Sequence, residues 1–115
     1  MTTTTAKIDR ETLVNAFRQA AAAALAADRG QDADGGACNF DSPVIRLPGI
    51  REKFVEECAA EAGISVDARK WLGGRCFFVH VPLHGQADRR SIMAEAACRR
   101  LKEFGLDAAM YYQMD

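Results

Sequence analysis

The sequence predicts a single α+β domain in which helices cover one four-stranded sheet. Three observations lead to it. Two apolar-alternating runs flank the pair Gly73-Gly74, two stretches of helical apolar spacing each end at a glycine, and the chain closes on another alternating run. A chain of 115 residues is one domain long, and 49% hydrophobic content is enough for a packed core without disulfides or a metal.

The elements follow in order. Residues 1–7 are a threonine-rich tail that is expected to fray. A helix over residues 8–29 starts on the cap Asp9, carries Leu13, Phe17, Ala21, Ala24 and Leu25 on one stripe, and stops at Gly30. Cys38 and Phe40 share one parity while Ile45 and Leu47 share the other, which predicts a first strand bulged or broken near Ser42-Pro43 and lying at a sheet edge or bend. Pro48-Gly49 then opens a helix with Ile50, Phe54, Cys58 and Ala62 at helical spacing, closed by Gly63.

Ile64 to Leu72 and Arg75 to Leu83 form a hairpin around Gly73-Gly74. Closing that turn at Leu72 and Arg75 pairs Lys70 with Phe77, Ala68 with Val79 and Val66 with Val81 on an apolar face. Trp71 then pairs with Cys76, Arg69 with Phe78 and Asp67 with His80 on the other. Asp88 caps the last helix, in which Met93, Ala97, Leu101 and Phe104 line one side before Gly105. Leu106, Ala108, Met110, Tyr112 and Met114 alternate as the last strand. Residues 37–114 thus read as a ferredoxin-like βαββαβ sandwich, with the N-terminal helix as an addition.

Charge and composition exclude several function classes. With 15 Lys plus Arg against 16 Asp plus Glu, the chain lacks the positive field that draws proteins to nucleic acid or anionic membranes. The apolar run Ala20 to Ala27 is far short of the roughly 20 residues that span a bilayer. The four cysteines, Cys38, Cys58, Cys76 and Cys98, contain no C-x-x-C pair, and no charged-then-apolar leader precedes them, so reduced thiols in a cytoplasmic protein are expected. Cys58 and Cys98 read as core residues.

The densest polar stretch is Asp34 to Pro43. Gly35 and Gly36 can bring backbone N–H groups to a ligand while Asp34, Asn39 and Asp41 add polar contacts; the same residue types also build a plain turn. It is no calcium loop, because Gly36 occupies the third ligand position and Pro43 the place of the closing glutamate. Cys38 with His80 or His84 offers a nucleophile and base as the catalytic alternative. Cys76 and His80 lie about 13 Å apart on a strand at ~3.3 Å per residue, too far to share an ion, and no cofactor or metal is expected. His80 is expected to bond Asp67 across the hairpin instead. Asp67, Arg69, Trp71, Phe78 and His80 form a second candidate surface, an interaction face whose Trp and Phe call for a cover. The N-terminal helix is the expected cover, and a second subunit the alternative.

Val44-Ile45-Arg46-Leu47-Pro48-Gly49-Ile50, followed by Ala62-Gly63-Ile64-Ser65-Val66, resembles the opening of an ACT domain. The resemblance extends from Val44 to Tyr112. It implies a ligand-sensing βαββαβ module that pairs with another copy and often binds an amino acid near the first loop, which adds Arg46 and Gly49 to the ligand-binding candidates. Arg46 stands where that family often has an acidic residue. Gly74 to Val81 also loosely resembles the aromatic octapeptide of the RNA-recognition motif, with Cys76 in the place of the first stacking aromatic. The expected function is a non-catalytic binding or regulatory module for a small molecule or protein partner, self-associating as a homo-oligomer. The alternatives are a small enzyme using Cys38 and, third, an RNA-binding module.

Overall fold

A computed structural model describes residues 8–28, 41–71, 73–83 and 87–112. Residues 1–7, Gly30, the stretch with Asp34, Gly35, Gly36, Cys38, Asn39 and Phe40, and also Leu72, His84 and Met114, lie outside the described residues. The elements run α1 (Arg10–Ala26), β1 (Ser42–Arg46), α2 (Glu52–Glu61), β2 (Ser65–Trp71), β3 (Gly74–His80), α3 (Ala87–Glu103) and β4 (Asp107–Tyr111). The four strands form one antiparallel sheet in the order β2-β3-β1-β4. Each of α2 and α3 therefore joins two strands that have a third between them.

Alternation sorts the side chains. Ile45, Val66, Ala68, Phe77, Val79, Ala108 and Met110 face the helices and share the main core with Leu13, Phe17, Val55, Met93 and Leu101. Burying each of the larger of these side chains contributes roughly 1.5–3 kcal/mol. Val44, Cys76 and Phe78 form a separate cluster on the opposite face, flanked by Trp71 and Tyr111.

Asp9 caps α1 as expected, its Oδ1 accepting the Thr12 N–H at 2.8 Å. The helix ends at Ala26 and not near residue 29: the Ala27 N–H already forks between the Ala23 and Ala24 carbonyls, and Asp28 leaves the axis to grip Arg89 of α3 at 2.7 and 3.0 Å. Leu25, placed on the buried stripe by spacing, is 49% exposed. Both α2 and α3 close as expected on a left-handed glycine. The Ile64 N–H reaches back to the Ala59 carbonyl past Gly63, and the Leu106 N–H to the Leu101 carbonyl past Gly105.

Further expectations are corrected. First, Pro48-Gly49 does not start α2. Gly49 has φ +79° and the Ile50 N–H bonds the Leu47 carbonyl, the pattern of a type II turn, so the helix begins only at Glu52. Likewise α3 begins at Ala87, so Asp88 lies inside it rather than at its cap.

Second, β1 is central, between β3 and β4, and continuous through Pro43. A proline has no N–H to give the β3 ladder. The Val79 carbonyl beside it instead receives the Ser42 hydroxyl at 3.4 Å and the Val81 N–H at 3.2 Å.

Third, the hairpin register is shifted by two residues. Trp71 pairs with Gly74, Lys70 with Arg75, Ala68 with Phe77 and Val66 with Val79. Gly73 alone of the pair takes positive φ, +82°, and Gly74 already belongs to β3 instead of the turn. A shift of two preserves which face each residue occupies.

Fourth, α1 does not cover Trp71 and Phe78. It packs on α3 and α2, on the helical side of the sheet, and bridges these two helices. Its buried arc is wide, taking in Leu13, Val14, Ala16, Phe17, Ala20 and Ala24, because the alanines let neighbours approach on two sides. Arg10 ties it to Glu61 of α2 at 2.9 Å.

Candidate functional site

The open sheet face covers itself. The rings of Trp71, Phe78 and Tyr111 meet edge to face, with centroids 5.0–6.4 Å apart, and close over Val44 and Cys76. The Arg69 guanidinium lies 4.6 Å above the Phe78 ring. On the same face, Asp67 Oδ2 meets His80 Nε2 at 2.8 Å and Arg69 at 3.4 Å. The expected Asp67–His80 contact therefore forms, diagonally across the true register, where Asp67 stands opposite Phe78 and Ser65 opposite His80. The His80 contact first, and the weaker Arg69 contact after it, hold the Asp67 carboxyl below its ordinary range.

Beside these residues a cleft of about 390 Å³ opens between the sheet face and the start of α3. Arg69, Phe78, His80 and Tyr111 line it from the sheet, Asp41 and Ser42 from the entry to β1, Val81 and Leu83 from the exit of β3, and Arg90 from α3. Asp41 is only 3% exposed and its carboxylate accepts the Ser91 hydroxyl of α3. Its charge also reaches Tyr112. That phenol is pushed up to about 12, first by its 2.7 Å hydrogen bond to Glu95 and then by desolvation and the nearby carboxylates. Arg90 Nε is buried and has no hydrogen-bond partner among the described residues.

The ligand-binding set read from the sequence does not converge. Asp41 lies at one end of β1, and Arg46 and Gly49 lie at and beyond the other, where a different recess of about 560 Å³ is lined by Arg46, Gly49, Ile50, Arg51, Arg75 and Asp107. Five residue steps of extended chain separate Asp41 from Arg46, about 16 Å at ~3.3 Å per residue, too far for one small ligand. Two of the arginines there hold backbone. Arg46 donates to the Trp71 carbonyl at 3.1 Å, and Arg75 to the Leu47 and Ile50 carbonyls at 2.8 and 2.6 Å. Asp41 and Ser42 instead join Arg69, Phe78 and His80, so two residues of the polar stretch and three of the interaction face share a cleft. Asp34, Gly35, Gly36 and Asn39 lie outside the described residues.

The thiols of Cys58, Cys76 and Cys98 are buried, and burial pushes each above its ordinary range, away from the thiolate that nucleophilic chemistry needs. Cys38, the nucleophile of the catalytic alternative, lies outside the described residues, and its histidine partner His80 is bonded to Asp67. Among the described residues no three His, Cys, Asp or Glu side chains are grouped to hold a metal ion. No described helix is long and apolar enough to cross a membrane.

Sequence reading missed Arg90, Ser91 and Tyr111. Arg90 carried a usable signal: it stands three and four residues before Met93 and Ala94, on the buried stripe of α3, where a charge is out of place. Tyr111 has the parity opposite to Ala108 and Met110, which assigns it to the aromatic face. Comparison with protein-family models, with curated proteins and with solved structures returns no match.

Proposed function

We propose that this chain is a non-catalytic, small-molecule-binding module whose site is the cleft between the open sheet face and the start of α3. The carrying observation is the buried Asp41, which lines that cleft with the Arg69 and Arg90 cations, the His80 imidazole and the Phe78 and Tyr111 rings. Few polar groups converging on a partly apolar recess of this volume is the usual composition of a ligand pocket. A plain turn needs none of the residues that the sheet and α3 contribute.

The same reading includes a ferredoxin-like, ACT-type architecture. Read from its other edge, the sheet order is β4-β1-β3-β2, with α2 and α3 as the two crossovers of a double split βαβ, and this supports the ferredoxin-like part of it. The cleft is at the end of β1 away from the Pro48-Gly49 turn, so a ligand here binds elsewhere than the first loop that the resemblance suggests.

A thermal-shift screen of amino acids, nucleotides and organic acids tests the proposal on wild type and Asp41→Asn, which keeps the shape of the side chain and removes its charge. Stabilisation of the wild type by a compound that binds the variant at least tenfold more weakly or more tightly supports it. Compounds that shift both proteins equally argue against this cleft.

A further inference from the structure

We infer that Arg90 is the anion anchor of this cleft, and that the ligand is a small organic oxyanion, a carboxylate or a phosphate monoester, with an apolar body. The inference rests on the ligand-binding reading above and adds the chemical class. Two guanidinium cations and one imidazole line the cleft, and they differ in what they already hold. His80 bonds Asp67 at 2.8 Å, while Arg69 pairs with the same carboxylate at 3.4 Å and lies on Phe78. Arg90 Nε is buried with no hydrogen-bond partner among the described residues.

A guanidinium stays charged at any pH the fold survives, and it has only donors to offer. A buried donor left unpaired is destabilising, and a turn of the Arg90 side chain toward the cleft relieves that when a ligand oxyanion there accepts a charge-assisted bond from the guanidinium. Arg90 is also in the first turn of α3, where the helix dipole favours a negative group. Asp41 limits where the anion can sit, since a second negative group beside that carboxylate is repelled toward Arg90. Phe78, Leu83 and Tyr111 leave an apolar wall for the rest of the ligand. The volume of about 390 Å³ suits a single-ring molecule and excludes a folded partner.

Trp71, the only tryptophan, contacts both Phe78 and Tyr111, with centroids 6.4 and 5.4 Å away, and reports on the cleft by its fluorescence. The probes are benzoate, phenyl phosphate and the neutral benzyl alcohol, titrated into wild type, Arg90→Gln and Arg90→Lys, with circular dichroism to check folding. Wild type is expected to show a saturable response to one of the anions, at least about tenfold tighter than to benzyl alcohol. Whichever of benzoate and phenyl phosphate binds more tightly identifies the carboxylate or the phosphate source. Arg90→Gln is expected to lose at least about tenfold in anion affinity and nothing for benzyl alcohol. Arg90→Lys keeps the charge without the planar fork and is expected to fall between the two. Should the Gln variant not fold, the Lys variant carries the comparison. Equal affinity for benzyl alcohol and the anions overturns the oxyanion class while leaving the cleft standing. Unchanged anion affinity in the folded Arg90 variants, or no saturable response to either anion, overturns the anchor.

Discussion

Asp67 and His80 lie two residues out of register on neighbouring strands, yet Oδ2 and Nε2 meet at 2.8 Å. The bond lowers the Asp67 carboxyl below its ordinary range, so its stabilisation is present above the unfolded-state value and is lost as acid titrates the folded carboxylate. Both side chains are near half exposed, which limits the effect to under about 1 kcal/mol. Asp67→Asn should therefore lower stability slightly at about pH 7 and not at about pH 2. Urea melts at the two values check this, and a deficit that persists in acid would contradict it.

The corrected turn is tested by its two glycines. Gly73 has φ +82° and Gly74 does not, and a Cβ on Gly74 meets only the flexible end of Arg46 at 3.4 Å. Gly73→Ala should cost about 1 kcal/mol and Gly74→Ala no more than about 0.5. The reverse order in denaturant melts would restore a Gly73-Gly74 turn.

Face assignment gives a larger contrast. Val79 is fully buried in the main core, whereas Ser65 on the paired strand is exposed. Val79→Asp buries an unpaired charge and should cost more than about 3 kcal/mol or prevent folding, while Ser65→Asp should cost under about 0.5. Similar melting of the two variants would mean the faces are exchanged.

These faces were legible because period-two alternation survives any register shift of two. The register itself was not, because two adjacent glycines offer two turn placements of equal parity. The seat of α1 was hidden for a related reason: Ala16, Ala20 and Ala24 have little hydropathy to mark a second buried side, so a helix gripped by two others read as a one-faced helix. Of the site, Asp41, Arg69, Phe78 and His80 stood out by residue type. Their meeting, and the entry of Arg90 from α3, depend on strand order and on where the third helix begins, which local pattern does not encode.

The aromatic cover makes a prediction for Cys76, which is fully buried beneath it on the open face. Trp71→Ala should speed labelling of Cys76 by a small maleimide at least about tenfold, with Cys58 and Cys98 as slow as before, because the latter two belong to the other cluster. Peptide mapping by mass spectrometry reads it. Unchanged protection of Cys76 would mean that something other than these rings covers the face.

The most direct measurement of the central claim is amide chemical-shift mapping with the tightest compound from the thermal-shift screen. Saturable shifts are predicted at Asp41, Ser42, Phe78, His80, Val81, Arg90 and Tyr111, which surround the cleft, with Gly49, Ile50, Arg51 and Arg75 unmoved. Shifts concentrated on that second group, with the cleft residues silent, would contradict the assignment of the site.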